Sequence, residues 1–242
     1  MTAGKNCCFI HGYKAVVMQR IADLVRTGHI HHVSGTVPRE KVLSLYDKFT
    51  RLYETERSDS QASRARKAGL ATFRLFLLGR PTDETIGWWL LRTDGKMPGE
   101  ASREKWKDAT NKSDRDNQRL QIEGYVLIRE SRPGSKAPAW TWRYTQEQYQ
   151  ELEYRIVDSV RHHRSHDLEQ TLHTISKTMG FAPARKQVKQ LYALMVKEWR
   201  TKHTTTEPPP ETQRIGYLNR KSDMGWYATD KQPRQRMCHK IP

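Results

Sequence analysis

Apolar residues recur along this chain with two different periods. Val17, Ile21, Leu24 and Val25 stand at helical spacing and Gly28 follows as a stop, which predicts a helix over 13–26; residues 15–18 alone also read as a strand. Residues 29–37 are β-branched at Ile30, Val33, Thr36 and Val37 and end at Pro38, the pattern of a short strand. Pro38 suits the first position of a helix. Behind it Val42, Leu45, Tyr46, Phe49, Leu52 and Tyr53 follow the i, i+3, i+4, i+7 spacing of a one-sided helix.

The runs 71–79 (ATFRLFLLG) and 86–93 (IGWWLLRT), joined by Arg80-Pro81-Thr82-Asp83, read as a β-hairpin. Residues 121–130 alternate, 131–138 (SRPGSKAP) form a turn-rich break, and 139–144 (AWTWRY) place Trp140, Trp142 and Tyr144 on one strand face. Between them, 96–119 is nearly all polar and reads as a helical insert. Thr145 with Gln148 three residues on is a capping-box start. Further helices are expected over 166–179 and from Pro183, the latter with Val188, Leu191, Tyr192, Met195 and Trp199 on one face. Pro208-Pro209-Pro210 then ends regular structure.

From 29 to 144 the elements run strand, helix, strand, strand, insert, strand, strand. This is the β-α-β-β-α-β order of a ferredoxin-like fold with one extra strand. The expected class is α+β: a ferredoxin-like sheet with a basic helical insert, followed by a C-terminal helical bundle and a basic tail. The corresponding domains are 1–144 with its insert at 96–119, a helical domain over 145–203, and a largely irregular tail over 204–242.

Composition narrows the function classes. The 43 Lys+Arg exceed the 27 Asp+Glu by 16 formal charges, and the mean hydropathy is −0.89. The longest apolar stretch, 75–78, falls far short of the ~20 residues that span a bilayer. No apolar signal core precedes His11. Three cysteines, two of them adjacent, suit a reducing compartment rather than a disulfide scaffold. Seven Trp, ten Tyr and five Phe are more aromatic material than a disordered chain carries. The expectation is a cytoplasmic, folded protein whose partner is a polyanion and not a membrane.

The charge is clustered. Arg57, Arg64, Arg66 and Lys67 precede the strand at 71–79; Arg103, Lys105, Lys107, Lys112, Arg115 and Arg119 load the insert. Arg161 and Arg164 close the first C-terminal helix around His162 and His163, and Arg185, Lys186 and Lys189 open the last. Such surfaces bind nucleic acid by releasing its counterions; for any single cluster the alternative is a solvated helix face. Trp88 and Trp89 are adjacent, so their side chains point to opposite faces. With Trp140, Trp142 and Tyr144 they make either a stacking platform for unpaired bases or core beneath helices.

His29, His31 and His32 surround a strand start. A histidine of near-neutral pKa takes the proton from a ribose 2′-hydroxyl while Arg or Lys neutralises the phosphate, which is metal-free RNA cleavage. His31 and His32 are the catalytic candidates; strand histidines without a chemical duty are the alternative. His162 and His166 stand i, i+4, but no Cys or acid falls at zinc-finger spacing, so neither a metal nor a cofactor is expected. Phosphate-loop, dinucleotide, nucleophile-elbow and metalloprotease motifs are absent.

A ferredoxin-like half, histidines near its first strand, a basic insert and a helical second part resemble the Cas6-like proteins that process CRISPR RNA, as in compact plasmid-borne type IV systems. The resemblance implies recognition of a repeat hairpin by basic helices. It further implies cleavage on the 3′ side by a 2′-hydroxyl, and retention in a ribonucleoprotein with other protein subunits. It makes His31 or His32 the base and Arg64 and Arg66 the phosphate contacts. Cas6 proteins carry a glycine-rich loop near the C-terminus; Gly216 and Gly225 here stand alone, a departure that bears on cleavage more than on binding. Gly87-Trp88-Trp89-Leu90-Leu91, Thr93-Asp94-Gly95, Arg132-Pro133-Gly134 and Trp140-Thr141-Trp142-Arg143 also look like small basic proteins of plasmids and integrative elements, over about residues 29–200. That likeness implies the alternative, a DNA-binding accessory protein of replication, transfer or regulation, with residues 185–189 against phosphates or in a major groove.

Overall fold

The computed structural model describes residues 7–97, 104–111, 118–131, 137–203, 207–229 and 238–239. The chain opens with β1 (Cys7–His11), α1 (Lys14–Arg26), β2 (His31–Pro38), α2 (Val42–Tyr53), α3 (Asp59–Lys67), β3 (Phe73–Leu78), β4 (Thr85–Arg92) and β5 (Lys107–Asp108). It continues through β6 (Gln121–Ile122), β7 (Tyr125–Ser131), β8 (Pro138–Tyr144), α4 (Gln146–Arg161), α5 (Ser165–Ser176) and α6 (Ala182–Lys202), and returns with β9 (Met224–Thr229) and β10 (Cys238–His239). These elements form two units of an α+β protein, Met1–Leu120 with Arg220–Pro242, and Gln121–Asn219.

The first unit is built on a mixed sheet of order β10-β9-β1-β3-β4-β2-β5. β2 and β4 pair along their length, from His31 opposite Arg92 to Pro38 opposite Thr85. Strand alternation sends Ile10, Val37, Leu77, Ile86 and Trp226 into one cluster, against which Leu43, Leu45 and Tyr46 of α2 pack. Phe49 and Tyr53, further along α2, close over Phe73 and Leu90 in a second cluster. Burying rings of this size contributes roughly 1.5–3 kcal/mol each. Trp88 lies against Gly35, where an added Cβ would stand 2.9 Å from the indole, so β2 needs a glycine at that position. β1 and β3 run parallel and share a single register pair, His11 with Leu78, where Gly79 N–H donates to the His11 carbonyl at 3.0 Å. On the N-terminal side of that pair no ladder joins them.

The second unit holds the antiparallel sheet β6-β7-β8 with α4, α5 and α6. α6 packs on β8 and α4, and α4 on α5. Tyr144 N–H donates to Gln187 Oε1 of α6 at 2.8 Å, and Trp142 is fully buried. Thr145 caps α4 by accepting from Gln148 N–H at 3.1 Å.

The helices expected over 13–26, 42–53 and from Thr145 are present. Other expectations are corrected. The strands at 121–130 and 139–144 do not join the first sheet: they pair with one another along their main-chain edges and α6 packs on β8, so the unit boundary lies at 120/121 rather than 144/145. The C-terminal helices are therefore not a separate bundle but one layer of a unit that includes this sheet. In the insert 96–119 the described part, 96–97, 104–111 and 118–119, contains no helix; Lys107–Asp108 instead pairs with the start of β2. The basic segment before β3 contains a helix not expected from its pattern, α3 over 59–67, which Ser58 and Gln61 start with a capping box. The tail is irregular over 207–223, but 224–229 is a strand beside β1, anchored by Trp226 Nε1–H donating to the Gly79 carbonyl at 3.0 Å.

Candidate nucleic-acid interface

The three histidines at the start of β2 separate by environment. His31 is half-buried, with Nε2 2.7 Å from Asp94 Oδ1. An imidazole that donates Nε2–H to a carboxylate carries its lone pair on Nδ1, the atom that would accept a hydroxyl proton. The register sets Arg92 and Asp108 on either side of His31. Arg92 in turn lies over the Trp106 ring, 5.0 Å from its centroid.

His32, the next residue, points to the opposite face of the strand and is only 2 % exposed. Its Nε2 is 3.0 Å from the Gln118 carbonyl, and Nδ1 is buried without a hydrogen-bond partner. Burial holds its pKa down at about 4. A ribose hydroxyl has no approach to such a nitrogen, so His32 is withdrawn as a candidate base. His29 is also buried, with its pKa lowered to about 4 by burial and then by the charges of Arg74 and Arg66.

The basic clusters divide into cations that acids neutralise and cations that they do not. Arg57 pairs with Glu54 at 2.7 Å, Arg161 with Glu198 at 2.9 Å, and Arg164 with Asp158 at 2.9 Å. Arg64, Arg66 and Lys67 of α3 are exposed and form no ion pair with an acid among the described residues. Residues two positions apart on a helix are turned by about 200°, so Arg64 and Arg66 face different ways and do not converge on one phosphate. Arg64 borders a hollow of about 450 Å³ with Glu54 and Glu56, whereas the charge of Arg66 acts on His29. Neither arginine bonds to the His31–Asp94 pair. Lys105 and Lys107 are exposed, and Arg119 Nε–H donates to the Asn111 carbonyl at 3.4 Å. Arg103, Lys112 and Arg115 lie outside the described residues.

In the second unit Lys186 and Lys189 stand exposed on the first turns of α6. Arg185, between them and the irregular segment, donates Nε–H to the Ile215 carbonyl at 2.9 Å and lies over Tyr217, 3.6 Å from the ring centroid. Tyr217 is itself among the most exposed aromatic residues, and the Arg185 hydrogen bond and charge lower the pKa of its hydroxyl. Together these residues rim an open hollow of about 400 Å³ that also touches Glu130 and Thr141.

Most of the strand aromatics are core: Trp89 is 7 % exposed, Trp142 and Tyr144 are buried, and the half-buried Trp88 packs edge-on to Phe49, whereas Trp140 is half-buried. Sequence reasoning missed the rings that line an opening: Phe9, His11, Phe76 and Tyr227 of β1, β3 and β9, in which Phe9 meets His11 and Tyr227 edge to face and His11 meets Phe76 at a tilt. Their signal was the alternation of CFIH and GWYAT, too short in either place to mark a strand. No helix among the described residues is long and apolar enough to cross a membrane. No protein-family model, no curated protein and no solved structure matches the chain.

Proposed function

We propose that this protein binds RNA through the phosphate backbone and acts as a subunit of a ribonucleoprotein, with a CRISPR repeat hairpin as the RNA that the Cas6 resemblance implies. The observation that carries the reading is the set of exposed cations without an acid partner among the described residues, Arg64, Arg66 and Lys67 on α3 and Lys186 and Lys189 on α6, in a chain of formal charge +16. A set of this kind releases counterions from a polyanion with each contact. Strand order supports the fold half of the resemblance: with β3 set aside, β9-β1-β4-β2 have antiparallel neighbours in the order expected of a ferredoxin-like sheet, through β1 and β9 rather than the expected strands at 121–130 and 139–144.

Cleavage, in this reading, falls to His31 alone, with Asp94 orienting the imidazole. The test is filter binding of a repeat hairpin RNA and a duplex DNA of equal length at ~0.15 M salt. RNA is expected to bind more tightly. Equal affinity for both overturns the RNA assignment, and tighter DNA binding favours the accessory-protein alternative that α6 would serve.

A further inference from the structure

The sheet of the first unit is open between β1 and β3. The two strands meet at His11 and Leu78 and share no other register pair, so toward their N-terminal ends they part as the arms of a wedge. The opening is about 710 Å³. Four consecutive residues of β3, Arg74 to Leu77, line it, and successive residues of a strand belong to opposite faces. It is therefore a gap in the sheet and not a hollow on one side of it. Its size falls within the roughly 300–1,000 Å³ that small-molecule sites occupy.

The chemistry of the walls is specific. Phe9, His11, Phe76 and Tyr227 supply ring faces and edges, with neighbouring centroids 4.9–5.7 Å apart. The arginines at the rim are already matched: Arg20 with Asp223 at 2.8 Å, Arg220 with Asp23 at 2.6 Å, and Arg74 with Asp59 at 3.0 Å. Paired in this way they give hydrogen-bonding edges without net charge, which disfavours a bare phosphate. Leu75 adds main-chain groups: the bond from Gly79 N–H to His11 shows that odd-numbered residues of β3 point toward β1, and opposite Leu75 the ladder is absent. A β-strand from another chain would need both arms parallel and about 4.8 Å away over several residues, whereas these arms converge.

We propose that the wedge between β1 and β3 holds one unpaired nucleobase, stacked on the Phe76 and Tyr227 rings with its polar edge on the rim and the Leu75 main chain. The physiological ligand, a base flipped or unpaired in bound RNA, rests on the RNA-binding reading; occupancy of the wedge by a base does not. The phosphates of the same strand then remain outside, for the exposed cations of α3 in the same unit.

The experiment uses uncharged nucleosides and the full chain. Saturation-transfer NMR with adenosine, guanosine, cytidine and uridine is expected to show transfer to base protons for at least one of them. Phe76→Leu and Tyr227→Leu keep the apolar volume and remove the ring, and stacking is worth ~1–3 kcal/mol per base. Either variant that keeps the wild-type Tm is therefore expected to weaken that nucleoside at least fivefold. Absence of transfer with all four nucleosides, or unchanged affinity in a folded variant, overturns the wedge. Filter binding of RNA in parallel separates the two proposals. RNA binding without nucleoside binding sinks the wedge alone, and nucleoside binding without RNA binding sinks only the reading of function.

Discussion

The Arg185 guanidinium sits 3.6 Å from the centroid of the Tyr217 ring, joining the basic start of α6 to a segment without regular structure. The stack holds the exposed Tyr217 ring by cation–π attraction, beside the bond that Arg185 makes to the Ile215 carbonyl. Tyr217→Ala is expected to weaken RNA binding two- to fivefold while leaving its salt dependence unchanged. Lys186→Gln and Lys189→Gln are instead expected to lower the slope of log K against log salt by about 1 each, as read from binding titrations between 50 and 200 mM salt.

Neutralised cations should behave differently. Arg161 is committed to Glu198, and its ion pair is partly exposed. Arg161→Gln is expected to change RNA affinity less than twofold and to leave Tm nearly unchanged, because an exposed ion pair is screened by solvent. A loss comparable to that of Lys186→Gln would show that the pair opens to meet phosphate.

Stability should fall in mild acid. His29 and His32 have pKa values near 4 in the folded protein against 6.5 in the open chain, because burial penalises the charged ring. The unfolded chain thus binds more protons between these values. The unfolding free energy is flat with respect to these groups above pH ~7.5, declines below 6.5, and goes on declining to about 4. Each histidine contributes a loss on the order of 3 kcal/mol across that window. Urea denaturation at pH 7.5, 6.0 and 5.0 is the measurement. His32→Gln, which keeps a donor for the Gln118 carbonyl, is expected to flatten the pH dependence.

The two neighbouring histidines make a matched pair of variants. Any chelator-resistant cleavage of repeat RNA by this protein is expected to disappear in His31→Ala with Tm unchanged. His32→Ala is expected to lower Tm and to leave cleavage by the remaining folded protein intact. Cleavage that survives in His31→Ala removes the His31–Asp94 pair from the mechanism.

At Gly225 an added Cβ would stand 2.0 Å from the Ile10 carbonyl oxygen, a main-chain atom that cannot step aside. Gly225→Ala is expected to cost about 3 kcal/mol by pushing β9 away from β1. A loss under 0.5 kcal/mol in urea denaturation would show that β9 does not depend on that approach.

What was legible in the sequence were elements whose side chains repeat for long enough to be seen. α2, with six apolar positions on one stripe, and α4, with Thr145 at its start, are of this kind. Strand partners were not legible. The face that Trp142 and Tyr144 share says that it is buried, but nothing local says whether a strand of the first sheet or α6 buries it. The polar insert misled because Lys107–Asp108 forms an edge strand by main-chain pairing, which needs no apolar pattern. For the site, charge density located the clusters but not the acids beside them. Glu198 lies 37 positions from Arg161, and only the folded chain shows that it cancels that charge.

The return of β9 to the side of β1 has a consequence for synthesis. The first unit is interrupted by residues 121–219, so its sheet lacks β9 until about a hundred further residues have left the ribosome. At 5–20 residues per second this is a delay of roughly 5–20 s. Throughout that interval one edge of β1, and the Cys8 and Ile10 positions that Trp226 and Ala228 later join, must wait uncovered. The second unit, continuous in the chain, can complete itself first. A nascent chain stalled near residue 219 would therefore be the form most in need of a chaperone.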